Sequence, residues 1–272
     1  MSATTAPAPG ALDVSGTRPV PFARLVKVEA RKMVDTRGGF WLLIVTGLLL
    51  VITVGIVLLV IGLNDDVTAS AYDWSQILII PLSLLLPVFP ILSVTSEWGQ
   101  RSGLVTFALE PHRLRVMAAK LTAVVLFALA ISAVAVVLGA IGNLVGAGLG
   151  GYDAEWNLSA RVLIATFLVQ VLFFLMAFGI GSVFLNTPGA IAIFYVVALL
   201  LPLMVYGTLY AFFDWAQDLI PWIDLQFATS PFVDRTEDIG GIDVARLVVV
   251  VLIWIVTPLV VGSRRVRSSE PK

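Results

Sequence analysis

The stretch VVLFALAISAVAVVLGAIG, residues 124–142, contains no ionisable side chain and is apolar on every face of a helix. A transmembrane helix needs about 20 such residues, because each residue advances the helix by about 1.5 Å through a hydrocarbon core of about 30 Å. A membrane β-barrel is excluded, since its strands alternate apolar and polar residues over about ten positions. The stretch therefore predicts a membrane-spanning α-helix.

Five further segments have the same composition, so we predict an all-α integral membrane protein with six transmembrane helices. The predicted spans are 41–63, 76–95, 121–143, 162–185, 190–212 and 247–262, within a transmembrane domain at 41–263. Of the 272 residues, 59% are hydrophobic and 13% are charged, whereas a soluble domain has about 25% charged residues. Cysteine is absent and His112 is the single histidine, which excludes disulfide scaffolds and metal sites built on thiolates or clustered histidines.

The charges between the predicted spans are divided unequally between the two sides of the membrane. Fourteen of the 17 basic residues and six of the 18 acidic residues lie on the side of both termini, giving +8 there and −9 on the other side. Lys and Arg near the ends of spans are retained in the cytoplasm. We therefore predict a multi-pass protein of the plasma (inner) membrane with both termini cytoplasmic. The overall net charge of −1 excludes a strongly basic nucleic-acid binder.

The two terminal segments are polar and are predicted to lie outside the bilayer. Residues 1–21 are rich in Ala, Thr and Pro, which predicts a disordered cytoplasmic tail. Residues 22–40 separate apolar and charged positions onto two helix faces, which predicts an amphipathic helix at the interface with membrane lipids. A basic juxtamembrane anchor without further role explains that pattern equally well. We expect Gly38 and Gly39 to turn the chain into the first span, and residues 264–272 to form a basic cytoplasmic tail.

The predicted spans hold no ionisable side chain, although ion- or proton-coupled carriers usually need one within the membrane. Intramembrane hydrolysis is also disfavoured, because the spans contain no acid pair and no serine with a base at the same depth. The phosphate-binding pattern G-x-x-x-x-G-K-[S/T] does not occur in the chain. We therefore predict that the chain is not an enzyme and that ATP-driven work needs an ATPase on another chain.

The cytoplasmic connection between the second and third predicted spans, residues 96–120, is the most distinctive part of the sequence. The run 104–109 predicts a short helix with an apolar face, which Pro111 would end. We predict that this connection is a loop that couples the protein to a partner. The predicted coupling residues are Glu97, Arg101, Gly103, Thr106, Phe107, Leu109, Pro111, Arg113 and Arg115. An ordinary basic connector is the alternative.

Two segments, 22–41 and 96–120, resemble the permeases of type-2 ATP-binding-cassette (ABC) exporters. In the connection the resemblance lies in Glu97, Arg101, Gly103, Thr106, Leu109, Pro111, Arg113 and Lys120. The first segment looks like the interfacial helix of these permeases. The residues singled out on this helix are Glu29, Arg31, Lys32, Thr36 and Arg37. The resemblance implies a permease subunit that binds no cofactor itself and pairs with a second copy or a related permease. It also implies two cytosolic ABC ATPase subunits, which hold ATP and Mg.

The predicted extracytoplasmic segment 213–243 is too long for a simple turn. Trp215, Leu219, Trp222 and Ile223 recur at helical spacing, and Pro221 is expected to bend or restart the helix. Two interpretations fit these residues: an outer gate of a transport pathway, or an aromatic belt at the membrane interface. The aromatic belt is the preferred interpretation.

Small residues and prolines within the spans predict local features of packing. Gly142 with Gly146, and Ala177 with Gly181, have the spacing that lets helices approach closely. The glycine-rich stretch after Asn143 is expected to end a helix. In the second span, bends are expected at Pro81, Pro87 and Pro90. A non-transporting membrane scaffold or assembly protein remains the alternative to an exporter permease.

Overall fold

The computed structural model describes residues 20–64, 66–99, 113–236 and 238–268. Every regular element in these ranges is a helix, and six helical segments are long and apolar enough to cross a membrane. They are Arg37–Leu63, Ala71–Ser96, Arg113–Gly150, Ala160–Phe184, Thr187–Phe212 and Gly241–Val266. Each contains all or nearly all of one predicted span, so the prediction of an all-α, multi-pass membrane protein is confirmed.

The helices are numbered here along the chain. They are α1 Phe22–Asp35, α2 Arg37–Leu63, α3 Ala71–Leu85, α4 Val88–Gly99, α5 Arg113–Gly150, α6 Ala160–Phe184, α7 Thr187–Phe212, α8 Asp214–Leu219, α9 Leu225–Val233 and α10 Gly241–Val266. Helices α3 and α4 together form the second span, and α10 remains helical to Ser268.

The turn between α1 and α2 lies at Thr36, and the prediction that Gly38 and Gly39 form it was wrong. Thr36 has an extended backbone, and its hydroxyl accepts a hydrogen bond from Gly39 N–H as the N-cap of α2. Both glycines lie inside α2. A Cβ on Gly39 would lie 1.9 Å from the Met33 carbonyl oxygen, so this glycine supplies space for the end of α1. The predicted helix 22–40 is thus two helices joined at Thr36.

Proline interrupts the second span between α3 and α4. Pro87 has no N–H group to donate, and the chain forms a turn at Leu86 and Pro87 before helix resumes at Val88. The Tyr195 hydroxyl of α7 donates to the carbonyl of Leu84 beside this break. Such a donor matters in a membrane, where water does not satisfy exposed carbonyls. The expected bend is confirmed at Pro87, whereas Pro81 lies within α3.

Helices α7 and α10 each contain wide π-helical turns associated with proline. In α7 the π segment is Val196–Tyr206 and includes Pro202. In α10 it is Leu252–Val256, two residues before Pro258. A proline ring clashes with the preceding turn of a regular α-helix, and a wider turn makes room for it.

Helix α6 lies at the centre of the bundle and belongs to both parts of the apolar core. Its residues Phe174 and Phe178 pack with α1, α3, α4 and α5. Its residues Met176 and Ile180 pack with α7, α9 and α10. In its most apolar stretch α6 is 56% buried, against 11% for α10. Four of the other spans are only 11–22% buried and expose long apolar faces, which suits a lipid environment.

Small side chains allow the close helix contacts that were predicted. A Cβ on Gly181 of α6 would lie 3.2 Å from Ile91 Cα, and one on Gly142 of α5 would lie 2.7 Å from the Trp74 ring. The closest approach, at Gly262 of α10, was not predicted, and a Cβ there would lie 1.8 Å from Ser182 Oγ. The expectation that the glycine-rich stretch after Asn143 ends a helix is confirmed, because α5 ends within that stretch at Gly150 and the next residue, Gly151, has a positive φ of 67°.

Candidate functional site

The two ends of the bundle differ in charge. We call one the basic end, which contains residues 20–37, 93–99, 113–120, 183–187 and 262–268. The other is the acidic end, which contains residues 64, 66–73, 150–161, 213–236 and 238–246. Arg113 donates to the Val266 carbonyl at 3.1 Å, and Arg115 donates to the Val20 carbonyl. Residues 20 and 266 therefore lie at the same end, as an even number of spans requires.

A buried ion pair joins α1 to the rest of the bundle at the basic end. Lys120 Nζ of α5 donates to Glu29 Oε2 of α1 at 2.6 Å, and the two side chains are only 8% and 7% exposed. Lys120 Nζ also donates to the Ser93 carbonyl of α4 at 2.9 Å. Lys32 Nζ donates to the other carboxylate oxygen of Glu29 at 2.8 Å. Each carboxylate oxygen of Glu29 thus accepts a bond from an ammonium group, and three helices meet at this network.

The sequence of α1 explains why Glu29 faces the bundle. Glu29 and Met33 are one helical turn apart and are both buried. Met33 belongs to the apolar core, and Val26 and Ala30 pack against that core. Removing a carboxylate from water costs several kcal/mol, which nearby opposite charges offset only with good geometry. Lys120 and Lys32 supply that compensation, so α1 is docked through both apolar and ionic contacts.

Two arginines at the basic end donate to the last turns of helices. Arg113, at the start of α5, binds the Val266 carbonyl of α10, and Arg265 of α10 binds the Val183 carbonyl of α6 at 2.7 Å. Carbonyls in the last turn of a helix lack intrahelical donors and carry partial negative charge. These basic residues therefore fasten α5, α6 and α10 together, in addition to contributing to the charge bias.

The structure describes three of the nine predicted coupling residues. Glu97 lies in the last turn of α4, and Arg113 and Arg115 lie in the first turn of α5. The other six lie outside the described residues: Arg101, Gly103, Thr106, Phe107, Leu109 and Pro111. Because α4 reaches Gly99 and α5 begins at Arg113, both ends of the predicted connection are helical rather than loop.

The residues predicted on the interfacial helix have different environments. Glu29 and Lys32 belong to the ion-pair network, whereas Arg31 makes an exposed pair with Asp35 at 3.9 Å. Arg37 is the first residue of α2. A helix therefore spans Phe22–Asp35, and its position along the membrane interface stays a prediction.

Lys120 was expected only as one of the residues that resemble the exporter permeases, its pairing with Glu29 was not predicted, and Ser93 was not predicted to belong to this site. One signal was available for Glu29, which lies three residues after Val26 and four before Met33, inside an apolar stripe. Lys120 is the last charged residue before an apolar stretch, and such a residue is usually explained by charge bias.

At the acidic end, the four residues predicted for an outer gate do not share one environment. Trp215 and Leu219 of α8 are exposed, whereas Trp222 and Ile223 are half-buried in and after a short 3₁₀ turn. The Ile223 carbonyl accepts a hydrogen bond from Trp254 Nε1 of α10 at 2.7 Å. The expected restart of the helix is seen around Pro221.

Asp224 caps α9 at this end and is almost fully buried. Its carboxylate accepts a hydrogen bond from Phe227 N–H at 3.0 Å. Burial raises the pKa of Asp224 to about 6, although the N–H groups of Phe227 and Gln226 act in the opposite direction. This carboxyl group therefore titrates about two pH units above an ordinary aspartate.

A polar cleft of about 370 Å³ also opens at the acidic end, and its lining includes Asp73, Glu155, Asn157 and Arg235. Asp73 accepts hydrogen bonds from Ser70, and Asn157 accepts one from Tyr72 N–H at 3.1 Å. Within the described ranges, no three Asp, Glu or His residues are grouped as a metal site. Asp73 thus caps α3, and Asn157 holds α3 to the segment between α5 and α6.

Comparison with known proteins adds no family to this description. No family model matches the chain, and no curated protein matches it. The function must therefore be argued from the geometry of the basic end and from the sequence motifs.

Proposed function

We propose that this chain is the membrane-spanning permease subunit of an ATP-driven exporter of the type-2 ABC class. It has no ATPase site of its own and receives energy from cytosolic ATPase subunits that bind ATP and Mg. One observation carries the proposal: Glu29 and Lys120 are in contact although they are 91 residues apart. They belong to the two segments, 22–41 and 96–120, that resemble such permeases.

A permease that receives its energy from a separate ATPase needs a rigid connection between the surface that contacts the ATPase and its membrane spans. Both sides of the segment 100–112 have such connections. On the α4 side, Thr95 shares a hydrogen bond of 2.7 Å with Thr187 of α7. On the α5 side, Lys120 binds Glu29 of α1, and Arg113 binds α10. A displacement of this segment by a bound ATPase would therefore move α1, α7 and α10 together with α4 and α5.

The proposal assigns the basic end to the cytoplasm of a plasma (inner) membrane. Its excess of Lys and Arg supports this orientation. Helix α1 would then lie at the inner interface, with Arg31 and other exposed charges towards lipid headgroups and its buried face on the bundle. A second copy, or a related permease, would complete the pathway against the exposed apolar faces of the spans.

The deciding experiment asks whether a defined ATPase works with this chain. The tagged protein is purified from its native membrane in mild detergent, and co-purifying chains are identified by peptide sequencing. We expect a chain with a Walker motif at equal stoichiometry, and we expect its ATPase rate to change when the permease is added back in nanodiscs. A complex that lacks such an ATPase would favour the scaffold or assembly alternative.

Variants of the connection test the coupling itself. Phe107→Asp and Leu109→Asp place charge on the predicted apolar face outside the bilayer, so insertion should persist while the permease-dependent ATPase response falls. Asp66→Asn at the acidic end is the matched control and should leave the response unchanged. A normal response in the two loop variants would show that this segment is only a connector.

A further inference from the structure

A small cavity lies between α3, α5 and α6, and four polar side chains contribute to its lining. Its polar lining residues are Ser75 of α3, Ser132 of α5, and Thr166 and Gln170 of α6. Ser132 is at the middle of the predicted span 121–143, and Ser75 is in the second turn of α3, so the cavity lies in the half of the bundle nearer the acidic end. Half of the residues that line it are polar, although the surrounding helices are apolar enough to cross a membrane.

Gln170 presents an unsatisfied donor within this region. Its side chain is 3% exposed, and its Nε2 has no hydrogen-bond partner among the described residues. A buried amide N–H without an acceptor is unfavourable, and within a membrane no bulk water compensates for it. The position therefore calls for an acceptor next to Gln170.

The serine hydroxyls on the facing helices provide the opposite chemistry. Ser132 Oγ donates to the Ala128 carbonyl at 2.9 Å, and Ser75 Oγ donates to the Tyr72 carbonyl at 2.7 Å. A hydroxyl has one hydrogen, so each of these oxygens is left with lone pairs that accept. The cavity thus has N–H donors on its α6 side and oxygen acceptors on its α3 and α5 sides.

We propose that the cavity is a binding site for one water molecule that bridges the three helices. The water accepts a hydrogen bond from Gln170 Nε2 and donates to Ser75 Oγ and Ser132 Oγ. Three such bonds are typical of a buried water. A bare cation does not match the amide N–H groups, and an anion does not match the serine lone pairs.

The size of the cavity agrees with this ligand. About 10 Å³ is available to the centre of a water molecule, and about 10–15 Å³ is the amount that one water requires. A larger polar molecule does not fit unless the helices separate.

Solid-state NMR tests the proposal on the intact protein in deuterated lipid bilayers. Magnetisation is transferred from water to the uniformly ¹⁵N-labelled protein, and the side-chain signal of Gln170 is assigned by its loss in Gln170→Leu. We expect the Gln170 amide to gain signal at short mixing times, while the backbone amide of the fully buried Ala128 remains weak. A Gln170 signal as weak as that of Ala128 would overturn the proposal.

Thermal stability gives an independent test, because a hydrated and a dry cavity predict opposite signs. If water is bound, Gln170→Leu and Ser132→Ala each remove one of its partners, and each should lower the melting temperature by about 2–4 °C. Their double variant should lose less than the sum, since both act on the same water. The control is Ser83→Ala, which removes an exposed hydroxyl from the same helix as Ser75. A rise in melting temperature for Gln170→Leu would mean that an unpaired donor had been removed from a dry site.

Discussion

Replacing Glu29 by Gln should destabilise the protein more than replacing Lys120 by Met. Glu29→Gln takes the carboxylate charge away from Lys120, whose side chain is 8% exposed. Lys120→Met leaves the Glu29 carboxylate with Lys32 at 2.8 Å, and Lys32 is 41% exposed. Either variant breaks the buried ion pair from one side, which costs about 3–5 kcal/mol, but Glu29→Gln also removes the Lys32 pair, which contributes about 0.2–1 kcal/mol and partly compensates Glu29 in Lys120→Met. We therefore expect a loss of about 3 kcal/mol or more for Glu29→Gln and a smaller loss for Lys120→Met.

The double variant Glu29→Gln/Lys120→Met tests whether the two side chains interact with each other or contribute to stability independently. With both charges removed, no uncompensated charge remains buried, so the double variant should be more stable than Glu29→Gln alone. Steric trapping in bilayers measures the free energies of unfolding for the four proteins of the cycle. The matched control is Arg31→Gln, which breaks an exposed pair on the same helix and should cost less than about 1 kcal/mol. Additive single effects, or equal losses for Glu29→Gln and Arg31→Gln, would refute the reasoning.

Three further predictions concern packing, pH and orientation. Gly262→Ala places a Cβ 1.8 Å from Ser182 Oγ, so we expect poor folding, partly rescued by Ser182→Gly, in fluorescence-detected size exclusion. The pKa of Asp224 is raised from 3.8 to about 6 in the folded protein, so the native state binds this proton more tightly than the unfolded state does. The free energy of unfolding should therefore rise by about 1.4 kcal/mol per pH unit as the pH falls from 6 towards 4. Asp224→Asn keeps an N-cap acceptor and should remove that slope and increase stability at pH 7.5. Single cysteines are introduced in place of Asp66 and of Arg264, and intact cells are treated with an impermeant maleimide. We expect the cysteine at position 66 to be labelled and the cysteine at position 264 not to be labelled.

Each of these predictions has its own control or contrary outcome. Gly47→Ala adds a methyl group where no atom lies within 4 Å, so its folding should match that of the unmodified chain. If the unmodified protein and Asp224→Asn show the same slope of stability against pH, the pH dependence comes from another group. Labelling at position 264 on intact cells would reverse the orientation.

The spans were predictable from sequence because their determinants are local. A run such as 124–142 is apolar on every face, and no neighbour is needed to infer that it crosses a membrane. The break at Pro87 was only partly predictable, because Pro81 in the same span also lacks the N–H donor and yet lies within α3. Helix ends were less predictable, as Thr36 shows: a capping threonine competed with two glycines, and the cap determined where the chain turns.

The candidate site was only partly predictable because it depends on pairing between distant segments. Glu29 and Lys120 each have an ordinary local explanation, as an interfacial charge and as a residue that obeys charge bias. Their contact depends on the rotation of α1 against α5, which a single sequence does not specify. The cavity beside Gln170 is of the same kind, because its polar residues come from three helices and are isolated in the sequence.

The contacts at the basic end also imply an order of assembly during synthesis. The Glu29–Lys120 pair can form once α5 has left the ribosome, before α6 to α10 are made. The bond from Arg113 to Val266 joins residues 153 positions apart and must wait for the last helix. At about 5–20 residues per second, that wait is on the order of ten seconds. During it the carbonyls that α10 later presents are absent, so α1 is held on the first three spans by the ion pair and its apolar contacts, without help from the last helix.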